Sequence, residues 1–268
     1  MSHIARKRFG QNFLHDHSII QTILSSLQSH TDEHWVEIGP GLGALTQPLL
    51  NQGLRLDVVE LDRDLVAFLS NKFQAYAHLT IHSGDALRFD FASLATDSQK
   101  LRIIGNLPYN ISTPLMFHLL ENAHCIQDMH FMLQKEVVDR LCAQPGCKQY
   151  GRLSIMMQYY CSTECLFDVP PESFEPIPKV MSAIVRLVPH TEPPVHIDNV
   201  ALLNQVVTNA FSQRRKTLRN SLSKLFTEEQ ISAVNIDPSA RAETLSLSDF
   251  AHLAQLLTHT SSVGCNSL

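Results

Sequence analysis

The stretch Glu37-Ile38-Gly39-Pro40-Gly41-Leu42-Gly43-Ala44 comes directly after the apolar residues Trp35 and Val36. Glycines between a strand and a helix let the backbone approach a ligand closely. Read through Gly39, Gly41 and Ala44, the stretch fits the G-x-G-x-x-G/A fingerprint of a dinucleotide-binding loop. It therefore predicts that a strand over Trp35–Ile38 opens a nucleotide-binding βαβ unit.

Short apolar runs then alternate with longer helix-like segments as far as about Gln134, which is the pattern of a parallel sheet with crossover helices. Helical spacing predicts a helix over Asp64–Phe73, and Ser112 is a plausible N-cap for another. The further predicted strands are Leu56–Leu61, Leu79–His82, Ile103–Ile104, His130–Leu133 and a late strand over Val180–Leu187. The predicted fold class is α/β.

A change of pattern near residue 190 predicts a second domain. The run Thr191-Glu192-Pro193-Pro194-Val195 is typical of a linker, because consecutive prolines suit neither helix nor sheet. Apolar residues beyond it follow helical spacing, and Thr227 to Gln230 resembles a capping box. We therefore predict domains over residues 1–190 and 191–268, the second all-helical.

Polar side chains are predicted at the ends of successive strands, where ligands of open α/β sheets bind. Glu60 stands 21 positions after Gly39 and can accept both ribose hydroxyls of an adenosine, which NAD and S-adenosylmethionine share. Asp85 can accept a hydrogen bond from the adenine amino group. Glu37, just before the loop, suits a cationic amino acid tail better than a pyrophosphate. Together these residues favour S-adenosylmethionine.

The tetrapeptide Asn106-Leu107-Pro108-Tyr109 follows the fourth predicted strand and indicates a pocket for an amino-bearing base. An exocyclic amine is a poor nucleophile because its lone pair is delocalised, so two fixed acceptors are needed to bend it out of plane. The Asn106 amide oxygen and a carbonyl of the Leu107-Pro108 stretch are the candidates. Tyr109 would stack on the base. The alternative is a strand-to-helix turn with a packed tyrosine.

In combination these motifs resemble the KsgA/RsmA family of ribosomal RNA adenine dimethyltransferases, over nearly the whole chain. The resemblance is carried by Arg8 to Leu14, Glu37 to Gly43, Glu60, Asp85, Asn106 to Tyr109, and Ser173 to Val180. It implies a Rossmann-like class I S-adenosylmethionine-dependent methyltransferase domain with a small C-terminal helical domain. It also implies that the cofactor site is lined by Asn12, Leu14, Gly39, Glu60, Asp85 and Asn106, to which the glycine fingerprint adds Gly41.

The implied substrate is a pair of adjacent adenines in the loop of the hairpin near the 3′ end of 16S rRNA, within the pre-30S subunit. Phe174, on a stiff extended segment before Pro176 and Pro178, is expected to form the second wall of the base pocket opposite Tyr109. The alternative is a core phenylalanine beside a loop. No general base is required, so catalysis is expected to depend on orientation and polar stabilisation.

Basic residues are segregated on a chain whose net charge is −5. We predict RNA contacts from two groups that contain no intervening acid: Arg6, Lys7, Arg8 and Arg214, Arg215, Lys216, Arg219. The alternatives are a solvated helix face and, for the second group, a role in shaping the domain joint.

Six cysteines without a Cys-x-x-Cys and an N-terminus without an apolar targeting segment predict reduced thiols, a cytoplasmic location and no membrane span. No metal is expected, although a four-cysteine zinc site at Cys142, Cys147, Cys161 and Cys165 is an alternative. A monomer is the default. The competing functions are an Erm-type methyltransferase of 23S rRNA, a ribosome-assembly factor that acts mainly by binding, and a dehydrogenase.

Overall fold

A computed structural model describes residues 12–96, 99–108 and 110–263, with side chains as far as residue 258. The strands of this part of the chain are β1 (Phe13–Leu14), β2 (His34–Ile38), β3 (Arg55–Glu60), β4 (Leu79–Ser83), β5 (Leu101–Asn106), β6 (Ile126–Gln134), β7 (Cys161–Val169), β8 (Phe174–Glu175) and β9 (Ser182–Pro189). The helices are α1 (His17–Leu27), α2 (Thr46–Asn51), α3 (Arg63–Lys72), α4 (Ser112–Leu120), α5 (Lys135–Leu141), α6 (Arg152–Tyr160), α7 (Val200–Ala210), α8 (Leu218–Ser221), α9 (Glu228–Ala233) and α10 (Leu247–Val263).

Seven strands form one sheet in the order β4-β3-β2-β5-β6-β9-β7. The first five are mutually parallel, and β9 pairs antiparallel with β6. Chain order reverses between β2 and β5. The connections that leave the carboxyl ends of these two neighbouring strands therefore pass to opposite sides of the sheet and leave a crevice between them. This reversal confirms the predicted α/β class and puts the glycine loop after β2 next to the residues after β5.

All predicted strands of this sheet are present, within a few residues at their ends. Strands β2, β3 and β5 are almost entirely buried, which explains why they appear in the sequence as continuous apolar runs. The predicted cap of α4 is wrong: Ser112 is the first helical residue, and Ile111, whose side chain has no hydrogen-bonding atom, holds the N-cap position. The capping box at α9 is confirmed, with Thr227 and Gln230 exchanging two hydrogen bonds.

A buried ion cluster lies at the amino-terminal edge of the sheet, opposite the crevice. The Arg102 guanidinium donates to both carboxylate oxygens of Asp128 at 2.8 Å, to Glu33 at 2.8 Å and to the Leu27 carbonyl at 2.8 Å. It also stacks on Trp35, 4.3 Å from the ring centroid. Because the Arg102 guanidinium binds Asp128 through two parallel hydrogen bonds and also pairs with Glu33, the buried charges of these three side chains are compensated. The cluster ties α1 to β5 and β6.

The chain divides into two compact units. The first contains the described residues up to Val138 together with Thr163–Pro189, and the second contains Asp139–Ser162 and the residues from His190 onward. The predicted boundary at residue 190 coincides with one of these divisions, but Asp139–Ser162 joins the helical unit. The reason is packing, since α6 contacts α7 and α10.

The second unit is built around α7 and α10. The ring of Phe211 packs against Tyr150 and Phe250, with centroids 6.4 Å and 5.9 Å away. The Gly146 amide donates to the Glu243 carbonyl at 2.7 Å, which fixes the loop before α6 to the segment before α10. In the described residues from His190 onward, the helical character predicted for this part of the chain is observed.

Candidate active site

A pocket of about 280 Å³ opens in the crevice between β2 and β5. It is lined by the ends of four strands and the loops that follow them, together with the segment before α1. The predicted cofactor residues that line it are Asn12, Leu14, Gly39, Gly41, Glu60, Asp85 and Asn106. Asn12 and Asn106, which are 94 positions apart along the chain, therefore meet in one cavity, as expected for the carboxyl edge of a parallel sheet.

The glycine loop needs its glycines for conformation. Gly39, Gly41 and Gly43 have φ angles of 67°, 57° and 81°, in the left-handed region that side chains disfavour. The Gly39 amide donates to the Val59 carbonyl at 3.0 Å, which attaches the loop to β3. A Cβ atom on Gly41 would lie 3.0 Å from the Phe13 ring. The loop is thus closed on one side by the segment before α1.

Glu37 is a buried carboxyl group in the wall of this pocket. Burial raises its pKa to about 7, although a hydrogen bond from the Thr46 hydroxyl at 2.6 Å opposes the change. The nearby Glu60 carboxylate raises the pKa further. Glu37 therefore changes its charge near neutral pH, at a place where a cationic group of a ligand would meet it.

Glu60 and Asp85 are held by backbone amides at the ends of β3 and β4. Glu60 accepts from Asp62 N at 2.8 Å and Gly41 N at 3.3 Å, and burial raises its pKa above the ordinary value. Asp85 accepts from Leu87 N at 3.0 Å through Oδ1, and no described residue donates to its Oδ2. Each carboxylate has acceptor sites left for a ligand hydroxyl or amine.

The Asn106 side chain is oriented by the backbone of Asn12. Its Nδ2 donates to the Asn12 carbonyl at 2.9 Å, and no described residue donates to its Oδ1. Because the amide nitrogen is engaged, the oxygen is the atom left to accept from a ligand. This is the orientation that the predicted amine acceptor requires.

The hydrogen bonds of the backbone after Asn106 distinguish the two candidate carbonyl acceptors, those of Leu107 and Pro108. The Pro108 carbonyl accepts from Ile111 N at 3.1 Å inside the turn that leads into α4. Leu107 is fixed from its other side, since its amide donates to the Met132 carbonyl at 3.2 Å. No described residue donates to the Leu107 carbonyl, which makes it the better second acceptor. Leu107 and Pro108 both line the pocket.

Phe174 does not lie where the sequence suggested. Only 1% of the residue is exposed, and it packs in the hydrophobic core with Leu14 and Ile184 instead of lining the pocket. A ring buried to this extent has no face for a base to stack on, so its expected role as the second wall is not met by this arrangement. Of the other predicted residues, Tyr109, Arg6, Lys7 and Arg8 lie outside the described residues.

The second basic group is exposed in the second unit. Arg214 approaches Glu243 at 3.5 Å and Arg219 approaches Glu228 at 3.9 Å, so each is partly neutralised. No ion pair to a described residue involves Arg215 or Lys216. The latter two are thus the strongest cationic positions of this surface.

Part of the pocket wall is formed by residues that the sequence motifs do not predict. Leu61, 51% exposed, and Ile111 line it with apolar surface, and Asn110 adds a polar group. Their only signal in the sequence is their position next to the predicted acids and the tetrapeptide. The described residues contain no group of three or more metal-ligating side chains, so the four-cysteine zinc alternative is not formed there. In the same part of the chain no helix is long and apolar enough to cross a membrane.

Comparison with known sequences decides what kind of protein has this site. The family described as "Ribosomal RNA adenine dimethylase" matches residues 2–259. The chain belongs to the ribosomal RNA adenine dimethylase family. It is similar to "Ribosomal RNA small subunit methyltransferase A" of Pseudomonas aeruginosa, with 57% identity over 255 residues that cover 95% of each chain. The same protein of Mannheimia succiniciproducens is 56% identical over 96% of this chain and 91% of its own length.

Solved structures give the same fold. A dimethyladenosine transferase from Plasmodium falciparum superimposes with a TM-score of 0.76 at 24% identity, over 92% of this chain and 98% of its own. The 23S rRNA methyltransferase ErmE does so with a TM-score of 0.73 at 23% identity, over 92% and 100%. These two structures support the fold alone. Membership of the adenine dimethylase family, shown by the sequence relatives, makes this protein an rRNA-modifying enzyme that uses S-adenosylmethionine, and the dehydrogenase alternative is wrong.

The residues of the dimethylase pocket suit this cofactor. Glu60 can accept from ribose hydroxyls, Asp85 Oδ2 can accept from an adenine amine, and buried Glu37 offers a negative charge to a cationic group. A pocket for a pyrophosphate would instead avoid a carboxylate at the start of the loop. When bound, S-adenosylmethionine supplies an activated methyl group on a sulfonium sulfur.

Proposed function

We propose that this ribosomal RNA adenine dimethylase makes N6,N6-dimethyladenine at two adjacent adenines in the 3′-terminal hairpin loop of 16S rRNA. The observation that carries the small-subunit assignment is the set of relatives named "Ribosomal RNA small subunit methyltransferase A", 54–57% identical over nearly their full length. The substrate is the pre-30S subunit, and the enzyme acts as a cytoplasmic monomer that contributes to 30S biogenesis.

The base lies beside Asn106 in this proposal. Asn106 Oδ1 and the Leu107 carbonyl accept the two hydrogens of the adenine amine, which directs the nitrogen lone pair toward the methyl group. Support comes from the engaged Asn106 Nδ2 and from the turn that occupies the Pro108 carbonyl. Preorganised acceptors of this kind need no rearrangement during the reaction. Tyr109 remains the predicted stacking partner of the extruded adenine.

The cofactor lies along the strand ends, held by Glu37, Glu60 and Asp85 over the glycine loop. Asn12 lies beside Asn106, to which it is hydrogen-bonded, and Leu14 lines the same pocket. No side chain is required to remove the amine proton, because the methylated amine is acidic enough to lose it to solvent or a backbone acceptor. Rate enhancement then comes from orientation and from excluding water.

The exposed basic group of the second unit contacts the RNA backbone. Arg215 and Lys216 supply most of the charge, and Arg214 and Arg219 contribute less because acids neutralise them in part. Arg6, Lys7 and Arg8 are proposed to contribute a second contact. Phosphate contacts of this type position the protein without reading bases.

The direct test is transfer of labelled methyl groups to purified small subunits that lack the modification, with large subunits as the matched control. We expect methylation of the small subunits alone, and mapping of the modified bases should locate two adjacent dimethyladenines in the 3′-terminal hairpin. Methylation of the large subunit would instead support an Erm-type activity.

The assembly role has its own test, because binding and chemistry are separable. Subunit profiles of cells that carry Asn106→Ala should resemble those of a deletion strain if methylation is the main task. Profiles that differ from both the wild type and the deletion would assign a separate role to binding.

A further inference from the structure

Two distant segments of the first unit form a clasp, which we define as Asn12–Asp16 and Ser173–Glu175. Strand β1 pairs antiparallel with β8, so that Phe13 lies opposite Glu175 and Leu14 opposite Phe174. His15 N donates to the Ser173 carbonyl at 3.0 Å, and Ser173 Oγ donates to Asp16 Oδ2 at 3.1 Å. Asp16 also caps α1 by accepting from Ser18 N at 2.9 Å. The clasp therefore joins the start of α1 to the segment between β7 and β9.

The clasp is anchored by apolar packing. Leu14 and Phe174 are 6% and 1% exposed, and both belong to the same hydrophobic core cluster. Burying a phenylalanine side chain stabilises a structure substantially, whereas a two-residue pairing alone is marginal in water. Phe174 thus holds β1 in place.

The other end of the clasp reaches the active site at two points. The Asn12 carbonyl accepts from Asn106 Nδ2 at 2.9 Å. The Phe13 ring packs so closely on the glycine loop that a Cβ atom on Gly41 would lie 3.0 Å from it. Displacing β1 would therefore release the Asn106 amide and uncover the loop together.

We propose that the clasp positions Asn106 for methyl transfer, and that Phe174 acts in this reaction as a positioning residue through Leu14 and Asn12, not by stacking on adenine. The inference rests on the proposed role of Asn106 Oδ1 as acceptor of the amine. When the Asn106 side-chain nitrogen is held by a hydrogen bond, the direction of its oxygen is fixed. A side-chain amide without this bond can rotate about Cβ–Cγ, so that Oδ1 and Nδ2 change places. Small errors in such orientation cost large factors in rate.

Two substitutions of Phe174 distinguish a positioning role from a stacking role, because the two roles predict opposite orders of activity for the two variants. Phe174→Leu keeps an apolar anchor and loses the ring, while Phe174→Tyr keeps a ring and places a hydroxyl in the core. We expect kcat of Phe174→Leu to stay within about threefold of the wild type, and that of Phe174→Tyr to fall about tenfold. The assay is methyl transfer to under-methylated small subunits. The reverse ranking, or full activity of both variants, would overturn the inference.

A second measurement tests whether the clasp orients the Asn106 side chain, and it does not depend on methyl transfer. The side-chain amide resonances of Asn106, recorded by NMR on selectively labelled full-length protein, report its bond to the Asn12 carbonyl. We expect Phe174→Tyr and Ser173→Ala to shift these resonances or to speed their hydrogen exchange. The matched control is Phe91→Leu, an equally buried phenylalanine of the same unit that contacts the rings of Phe89 and His118 and does not belong to the core cluster that contains Leu14 and Phe174.

The two measurements together leave one conclusion for each outcome. If both Phe174 variants lose activity, altered Asn106 resonances in them, with unchanged ones in Phe91→Leu, support positioning, and unaltered resonances refute it. If the wild-type protein methylates neither subunit, the proposed function fails, yet the resonances still decide whether the clasp orients Asn106.

Discussion

At the scale of single residues, Glu37 has the most altered chemistry in the pocket. Burial raises its pKa to about 7, so it is neutral in acid and negatively charged in mild base. A cofactor that carries positive charge binds the charged form better. Below this pH, cofactor binding must therefore remove a proton from Glu37, and this requirement lowers the affinity.

We expect the affinity for S-adenosylmethionine to rise between about pH 6 and pH 8, by at most about tenfold per pH unit. Isothermal titration calorimetry in buffers of different ionisation enthalpy would measure both the affinity and the released proton. Glu37→Gln should bind more weakly and show a flat profile over this range. Equal slopes for the two proteins would contradict the assignment.

Loss of the Asn106 side chain should affect methyl transfer far more than cofactor binding. Asn106→Ala removes the proposed amine acceptor and should lower the rate of methyl transfer by about 100-fold or more. The dissociation constant of S-adenosylmethionine should change by less than about threefold, because the carboxylates remain. Single-turnover transfer and equilibrium binding measure the two separately.

The control for this variant is Asn71→Ala, an exposed asparagine on α3, which should behave as the wild type. Retained transfer by Asn106→Ala would remove Asn106 from the mechanism.

The sequence predicted those site residues whose position follows from strand order. Glu60 and Asn106 each end a strand of a parallel sheet, and Asp85 comes two residues after the end of another. Such strand ends converge whatever the details of packing. Phe174 is different. Its exposure depends on pairing with a segment about 160 residues away, and nothing local in the sequence distinguishes a stacking phenylalanine from a core one.

At the scale of elements, the turn between β2 and α2 depends on glycine for two separate reasons. Gly43 has a φ of 81°, and a Cβ atom there would also lie 2.8 Å from the ring of Phe73. Gly53 has a similar φ of 77° but has no atom within 4 Å of such a Cβ. Alanine substitutions at Gly43 and Gly53 therefore distinguish the cost of backbone strain, present at both, from the cost of overpacking, present only at Gly43.

We expect Gly53→Ala to destabilise the protein by about 1–2 kcal/mol through backbone strain alone. Gly43→Ala should cost about 1–3 kcal/mol more, because the methyl group must also displace a core ring. Urea unfolding of both variants measures the difference. Equal losses would show that Phe73 moves aside freely.

Elements were predictable where the pattern is long and buried. Strands β2, β3 and β5 are recognised as apolar runs bounded by turns. Strands β1 and β8 contain two residues each, too few to show any period, so their pairing is visible only in the structure. The misplaced cap of α4 has a similar cause, since a serine can occupy the N-cap or the first turn.

At the scale of the whole molecule, charge distribution matters more than the net charge of −5. An acidic protein that binds RNA must rely on local cationic surface. Arg215 and Lys216 are exposed, and in the described part of the chain no acid pairs with either. The segment Asp139–Ser162 could not be assigned to the helical unit from sequence, because α6 joins that unit through contacts with residues beyond position 199.

Replacing Arg215 or Lys216 by alanine should weaken binding to small subunits and reduce the slope of log affinity against log salt by roughly 0.7–0.9 per lost phosphate contact. Filter binding over a series of salt concentrations measures this slope. Lys100→Ala, an exposed lysine of the first unit, is the control and should leave the slope unchanged. An unaltered slope for both basic variants would place the RNA elsewhere.

The clasp also has a consequence for the order of events during synthesis. Asp16 and Ser173 are separated by 157 residues, so the amino-terminal segment cannot be locked down until roughly two thirds of the chain has left the ribosome. Before that point the glycine loop and the strand ends can assemble, but the Asn12 carbonyl has no anchor beside Asn106. A nascent chain of this enzyme therefore forms the hydrogen bond between Asn106 and Asn12 late, after the sheet that carries Asn106.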